Sequence, residues 1–240
     1  MDNRAVSETL GYILVFAIVI VTISTVAIAG VGSLEASRDS ASAANARTSM
    51  ELVANAGEQV HQGQAPGRTV PLSTAGGTLR SGEEVTFTVS VDGTDPDDEV
   101  INASTTPLVY EGNGATYVYV GGALLYEGGG GASMLRGPGW KLDGPVILPI
   151  VQTTASGSSS VSGSSAIVEL YRTNSQVLHN GSASSVTVEI DTVSEARAEA
   201  WRRMLNEDAS CSVSGETVDC TISTSNAIVR EVVLDISLSV

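Results

Sequence analysis

Few residues in this chain are of the types that do chemistry, and their spacing limits what they can do. His61 and His179 are the only histidines, and neither has a cysteine or a second histidine at metal-ligand spacing, so zinc chemistry is not expected. The glycine run Gly128 to Gly131 lacks the Lys-Ser or Lys-Thr that a phosphate-cradling loop requires, and it reads as an exposed turn. Asp92, Asp95, Asp97, Asp98 and Glu99 crowd into one short stretch. Clustered carboxylates can hold calcium, but DGTDPDDE does not match the helix-loop-helix calcium loop with its fixed glycine and terminal glutamate. A solvated acidic turn is the stronger reading, and Asp92-Gly93 suits a tight turn. No catalytic constellation emerges, so an enzyme is not expected and no cofactor is implied.

Covalent chemistry is a different matter. Cys211 and Cys220 enclose SVSGETVD, with Ser214-Gly215 as a turn between two short Val/Thr segments. In a domain that faces an oxidising exterior, two cysteines so spaced are expected to be cross-strand disulfide partners rather than buried thiols. Asn102-Ala103-Ser104 and Asn180-Gly181-Ser182 are sequons, and Asn102 and Asn180 become N-glycan acceptors under the same condition. The tract Thr153 to Ser165, TTASGSSSVSGSS, reads as a flexible, exposed loop open to O-linked sugar.

That condition turns on the stretch from Leu10 to Val31, LGYILVFAIVIVTISTVAIAGV, which has no charge and, besides Tyr12, only Thr22, Ser24 and Thr25 as polar interruptions. As a helix these residues span about 33 Å, the hydrocarbon thickness of a bilayer. The hydroxyls can bond back to carbonyls one turn earlier and so do not disqualify the span. A cleaved secretory signal has a shorter apolar core and a small-x-small site after it, whereas here a helical pattern continues past Gly32. Arg4 precedes the span and Glu35, Arg38 and Asp39 follow it, which favours an amino terminus inside and a head outside.

The leader MDNRA and the following VSETLGYILVFAIVIVT resemble the amino-terminal segment of haloarchaeal type IV pilin-like proteins, over about the first 35 residues. The resemblance implies a prepilin leader, residues 1–5, cut between Ala5 and Val6 by a prepilin peptidase, with the apolar helix retained in the mature chain. The chain departs from the family in carrying Ser7-Glu8 where many of these pilins have Ser-Pro. Bacterial pilins place a glutamate at the fifth mature position, and Glu8 would be the third. The resemblance suggests an inter-subunit charge role for Glu8, against the α-amine of Val6 in the same or the next subunit. The plainer alternative is a first-turn acid satisfied by the helix dipole and interfacial water.

The composition resembles that of proteins from salt-saturated cytoplasms and their surroundings. There are 27 acidic against 12 basic residues, a formal net charge of −15, and Lys141 is the only lysine. Such a surface does not attract nucleic acid, and at molar salt a Debye length of about 3 Å screens its self-repulsion. With 42% hydrophobic residues, the chain is not a disordered acidic tail.

The helix is expected to continue from the span to about Gln59, with Ala43, Ala46, Met50, Val53 and Ala54 on one face that packs on the head. Gly57, Gly63, Pro66 and Gly67 stop it. The remaining residues 60–240 read as one head of short strands. Val85 to Val91, Val186 to Ile190 and Val232 to Val240 alternate clearly. Weaker candidates are Val100 to Asn102, Leu108 to Glu111, Thr116 to Val120, Leu124 to Glu127, Val146 to Gln152 and Ala166 to Arg172. Thr192-Val193-Ser194-Glu195 reads as a capping box opening one short helix near 193–205. Its stripe of Val193, Ala196, Ala200, Trp201 and Met204 faces the sheet, with Trp201 as a core anchor.

The expected fold class is therefore α+β: a long N-terminal membrane-spanning helix (6–59) and an extracellular, β-rich, antiparallel, sandwich-like head. The expected function is a structural subunit, major or minor, of a pilus-like surface filament, with other pilin subunits and membrane lipid as partners. The rival is a membrane-anchored surface or adhesion module that never polymerises.

Overall fold

The computed structural model describes residues 3–74, 76–93, 99–112 and 114–240. The chain divides into two compact units, Met1–Ser42 and Ala43–Val240. Helix α1 (Asn3–His61) supplies all the described structure of the first unit and opens the second. Its stop is a Schellman motif. Gly63 adopts a left-handed φ of 81°, its N–H donates to the Val60 carbonyl, and the Gln64 N–H donates to the Gln59 carbonyl. These bonds satisfy carbonyls the helix end leaves open, and Pro66 follows where the helix cannot resume.

The strands follow in chain order: β1 (Gly67–Ser73), β2 (Thr78–Ser81), β3 (Val85–Asp92), β4 (Glu99–Thr105), β5 (Leu108–Gly112), β6 (Ala115–Val120), β7 (Ala123–Gly128) and β8 (Gly131–Arg136). After these come β9 (Val146–Gly157), β10 (Ser160–Ser162), β11 (Ser165–Ser182) and β12 (Ser185–Asp191). Helix α2 (Glu195–Leu205) precedes β13 (Ser210–Ser214), β14 (Thr217–Ser223) and β15 (Asn226–Ser239). They form three sheets: β1-β11-β15-β9, β10-β2-β5-β6-β7-β8, and β13-β14-β12-β3-β4.

The second unit is layered around the sheet that contains β6. Its two faces are both buried, as the alternation along β6 shows. Tyr117 and Tyr119 point into a cluster with Ala46, Met50, Val53, Ala54 and Ala56 of α1, whereas Val118 and Val120 join Phe87, Val89, Val186 and Val188 of the facing sheet. Helix α1 thus packs on one face and a second sheet on the other, a sandwich with a helix as its outer layer. The apolar face expected between Ala43 and Ala54 does this packing; Ala46, Met50, Val53 and Ala54 are buried, Ala43 is half-buried, and Val60 extends the face.

Three expectations need correction. The pairing is not wholly antiparallel, because β15 and β9 run parallel over Ala227–Leu238; the chain between them is long enough to return to the same end. Nor is the tract from Thr153 to Ser165 a loop, although most of it is exposed as expected. β9 runs on to Gly157, β10 occupies Ser160–Ser162, and Thr153 is buried. Its hydroxyl donates to the Thr106 carbonyl at 2.5 Å, and its N–H donates to Thr105 Oγ1 at 2.9 Å. Small hydroxylated residues can sit in a core strand when each polar atom finds such a partner, a condition composition does not reveal.

The third correction concerns α2. Its N-cap is Ser194, not Thr192; Ser194 Oγ accepts from the Arg197 N–H. Glu195 is then the first helical residue and cannot close a capping box, while the Thr192 hydroxyl lies 2.7 Å from the Glu216 carbonyl and 2.9 Å from that of Ser194. Trp201 is fully buried as expected, with Phe87 edge-on at 5.8 Å and Trp140 at 5.7 Å. The buried face also takes Ala198 and Leu205.

The approach of α1 to β6 is set by one glycine. A Cβ built on Gly57 would lie 2.1 Å from the Tyr119 hydroxyl oxygen and 2.8 Å from its ring carbon. That hydroxyl is buried with no hydrogen-bond partner among the described residues, and burial pushes it well above the ordinary tyrosine range. Gly57→Ala is expected to lower the unfolding free energy by about 1–3 kcal/mol through overpacking, despite alanine's better helix propensity. Tyr119→Phe alone should be neutral or stabilising, since it deletes an unpaired buried group, and the double variant should lose less than Gly57→Ala alone. Denaturant unfolding of the four proteins reads this; a full alanine penalty in the Tyr119→Phe background would contradict the contact.

Candidate functional site

The surface of the first unit is the least ordinary chemical feature of the chain. From Leu10 to Ala27 an 18-residue helical window has a mean hydropathy of 2.5, and none of it is buried among the described residues. Leu10, Ile13, Leu14, Phe16, Val21, Ile23 and Val26 are each more than half exposed. Helical pitch and side-chain chemistry explain how such a surface exists. A run of Ile, Val, Leu and Ala closes its own backbone bonds, and the two threonines return theirs inward. Thr22 Oγ1 donates to the Val19 carbonyl at 2.9 Å, and Thr25 Oγ1 to that of Val21 at 2.8 Å. No polar backbone or threonine hydroxyl group there needs water, so the segment suits an apolar surrounding. By length and composition it is one candidate span, and a signal sequence passes the same test.

Ala5, Val6 and Glu8 lie in the helical backbone of α1, and their side chains lie outside the described residues, as do Asp95, Asp97 and Asp98. The acidic stretch enters the described structure only at its ends. Asp92 closes β3 and accepts from Ser185 Oγ at 2.7 Å, Gly93 takes a φ of 85°, and Glu99 opens β4. Asn102 is exposed on β4, where it accepts from Thr88 Oγ1 at 3.1 Å, and Asn180 is exposed on β11. Both asparagines are accessible to modification. Gly129 and Gly130 form the tight turn between β7 and β8, each with positive φ. Among the described residues, no group of three or more His, Cys, Asp or Glu side chains is placed to hold a metal ion.

Cys211 and Cys220 form a disulfide. They are directly opposed in the β13–β14 hairpin, with Cα atoms 4.1 Å apart, the short separation of a non-hydrogen-bonded antiparallel pair. Gly215, φ 62°, makes the turn between the strands. Cys220 is fully buried against the core and Cys211 packs beside it, so the bond ties the edge strand β13 to its sheet.

His61 and His179 do not come together as a site. His179 lies on β11, whereas His61 ends α1, is 5% exposed, and has no partner at Nδ1 among the described residues. Burial pushes the His61 imidazole below its ordinary range. Glu58 opposes the shift, and Arg230 and Arg136 reinforce it. Sequence reading missed the part played by Arg230, whose guanidinium donates to the His61 carbonyl; an Arg inside an alternating strand gave no sign of the helix end it would meet.

The chain belongs to a family of unknown function, DUF7289, whose model matches residues 4–239. A comparison with curated proteins finds no match. Among solved structures, the crystal structure of the ywiB protein from Bacillus subtilis is similar at 12% identity over 66% of this chain and 95% of that one, with a TM-score of 0.17. That score is too low to inform the fold.

Removing the disulfide, by reductant or by Cys211→Ser with Cys220→Ser, should lower the unfolding free energy by about 2–3 kcal/mol, the cost of releasing so short a loop. Denaturant titration with and without reductant measures it. Quantitative alkylation of both cysteines without reductant would refute the bond. The second expectation concerns pH. A neutral, buried His61 means that the unfolded chain binds more protons than the folded one below about pH 6.5. Stability is therefore complete above that value and falls as pH falls toward the folded-state pKa, with a slope of up to about 1.4 kcal/mol per pH unit from this group. Unfolding at stepped pH should show a shallower decline in His61→Gln; identical profiles would remove His61 as the cause.

Proposed function

We propose that this protein is a structural subunit of an archaeal type IV pilus-like surface filament. In this reading a prepilin peptidase cuts between Ala5 and Val6, the apolar helix holds the subunit in the membrane, and the β-rich head faces the exterior. Assembly withdraws the helix from lipid into a filament core, where the helices of other copies replace lipid contacts. The observation that carries the reading is the uncovered apolar surface of Leu10–Ala27 with its threonine hydroxyls bonded inward. Lipid and neighbouring helices are the two surroundings such a surface can accept. The position of Arg4-Ala5 a few residues before the apolar run supports processing that keeps that run, and the Cys211–Cys220 bond is in keeping with an oxidising exterior. Glu8, at the start of the mature helix, would pair with the α-amine of Val6 in its own or the next subunit, because a carboxylate in an apolar core is costly alone.

Mass spectrometry of the protein from its native envelope should find Val6 as the amino terminus; a start near Gly32 would mean conventional signal cleavage and end the filament reading. In cells carrying Glu8→Gln, leader processing should persist while filament incorporation falls sharply. Unchanged filament yield would leave Glu8 as an ordinary acid at the helix start.

A further inference from the structure

Strand β11 outruns its neighbour on one side. β15 pairs with it from Ile167 to Ser182, but β1 covers the other side only from Ser165 to Tyr171. The Arg172 N–H donates to the Pro66 carbonyl just before β1 begins. Beyond it no strand among the described residues pairs on that side, and Thr173 to Val177 are exposed in succession. In an antiparallel pair about half of a strand's backbone N–H and carbonyl groups face away from its neighbour, so this half of β11 is a template for another strand. Tyr171 and Val177 beside it are large apolar side chains left 50% and 57% exposed.

The other sheet edges are guarded. β1 carries Pro71 and an exposed Arg68, and β10 has three residues. The Ala132 carbonyl of β8 is taken by Arg203 of α2. On β9, Ile147 exchanges backbone bonds with Lys141, and the Thr153 carbonyl accepts from the Thr106 N–H. β4 begins at Glu99 beside the acidic stretch, and the short β13 follows Glu207 and Asp208. Short length, proline, charge and cover are the devices that keep strands from adding. The open half of β11 has no proline, and Leu170 to Val188 contains no carboxylate in a chain with a formal net charge of −15. Two register shifts, between Arg172 and Asn174 and between Val177 and His179, leave a regular run of Asn174 to Val177 between them.

We infer that this run is a docking edge for a second copy of the chain, with β11 pairing antiparallel to β11 across a two-fold axis that passes within Asn174–Val177. A two-fold contact sets the same stretch on both sides. An edge without carboxylates then meets its equal, whereas the acidic surface elsewhere brings like charges together. The backbone supplies the bonds, as in other cases of strand addition, and the two copies of Arg172 fall on opposite sides of the axis. The contact is small beside that of a permanent dimer, so the association is reversible. It uses the second unit alone, and the inference stands whether or not the chain assembles into filaments.

The test uses the full chain in detergent with single nitroxide labels at Thr173→Cys, Ser175→Cys, Val177→Cys or Asn180→Cys, the native cysteines being bonded to each other. High protein concentration and molar salt, where the Debye length is about 3 Å, favour the pair. Double electron–electron resonance should give label-to-label distances with a minimum at Ser175 or Val177, rising on either side by about 7 Å per residue, twice the strand rise. Two copies held together through the apolar helix give no such minimum. Distances that stay level or change steadily from Thr173 to Asn180, or the absence of a dimer, would overturn the inference and leave the edge to another occupant. Val177→Glu brings carboxylates to the axis and should weaken association at least about threefold at about 0.15 M salt, with recovery in molar salt. Val177→Thr should associate like the natural chain. Equal association of Val177→Glu and the natural chain at the lower salt would also overturn the inference.

Discussion

The packing of the carboxyl-terminal turns of α1 against an aromatic sheet face is the contact on which the second unit depends. Met50, Val53 and Ala54 are buried there, Tyr119 fits against the bare backbone of Gly57, and the Tyr117 hydroxyl reaches the Ala43 carbonyl at 3.4 Å. Tyr110, Tyr117 and Tyr126 run across three neighbouring strands with ring centroids 6.2 and 5.4 Å apart. Phenylalanine is scarce in this chain, with only two, so tyrosines supply the bulk of that face. Their hydroxyls must then be housed; Tyr110 donates to the Thr74 carbonyl, whereas Tyr119 finds no partner among the described residues. Close packing with the helix outweighs that unsatisfied group.

Four arginines sit at joints between elements. Arg136 of β8 reaches Asn55 and Glu58 of α1. Arg197 of α2 grips Glu127 of β7 with two bonds of 2.8 Å, largely out of solvent. Arg203 donates to the Ala132 carbonyl of β8, and Arg230 of β15 to the end of α1. Arginine suits these places because its planar fork serves two acceptors and keeps its charge when partly buried. Some other carboxylates are met by neutral donors: Glu231 accepts from Gln152 and Gln176, and Asp235 from Ser156. An acidic chain with little lysine can thus hold its elements together with a handful of well-placed guanidinium groups.

Alternation made β3 and β12 legible residue by residue, since Val85, Phe87, Val89 and Val91 are buried and their neighbours are not. The head-packing face of α1 was legible through helical periodicity, whereas the apolar stretch before it was legible by its length and lack of charge. The cysteine hairpin was readable from Ser214-Gly215 and its flanking segments. What escaped was set by contacts remote in sequence. β15 is buried at Ala227 and Val229, then at Val232, Leu234, Ile236 and Leu238, so the strand changes its buried parity at Arg230-Glu231 and only its second half reads cleanly. β1, β2 and β8 are short or interrupted by proline and glycine, and they become strands through their partners. The serine-rich tract became strand through pairing with β15 and β2, Thr153 being held by Thr105 and Thr106. The contact of Arg230 with the end of α1 was invisible for a related reason, as it joins residues 61 and 230.

The central claim is that Leu10–Ala27 stays in the mature protein and sits in an apolar surrounding. The most direct measurement places a nitroxide at Val19→Cys in protein taken from the native envelope and compares its relaxation by oxygen with that by a water-soluble nickel complex. A second label at Ser158→Cys, exposed between β9 and β10, serves as the aqueous reference. The account predicts that the Val19 label is relaxed by oxygen and shielded from nickel, while the Ser158 label responds strongly to nickel. A Val19 label as open to nickel as that at Ser158, or a mature chain from which residue 19 has been removed, would contradict it.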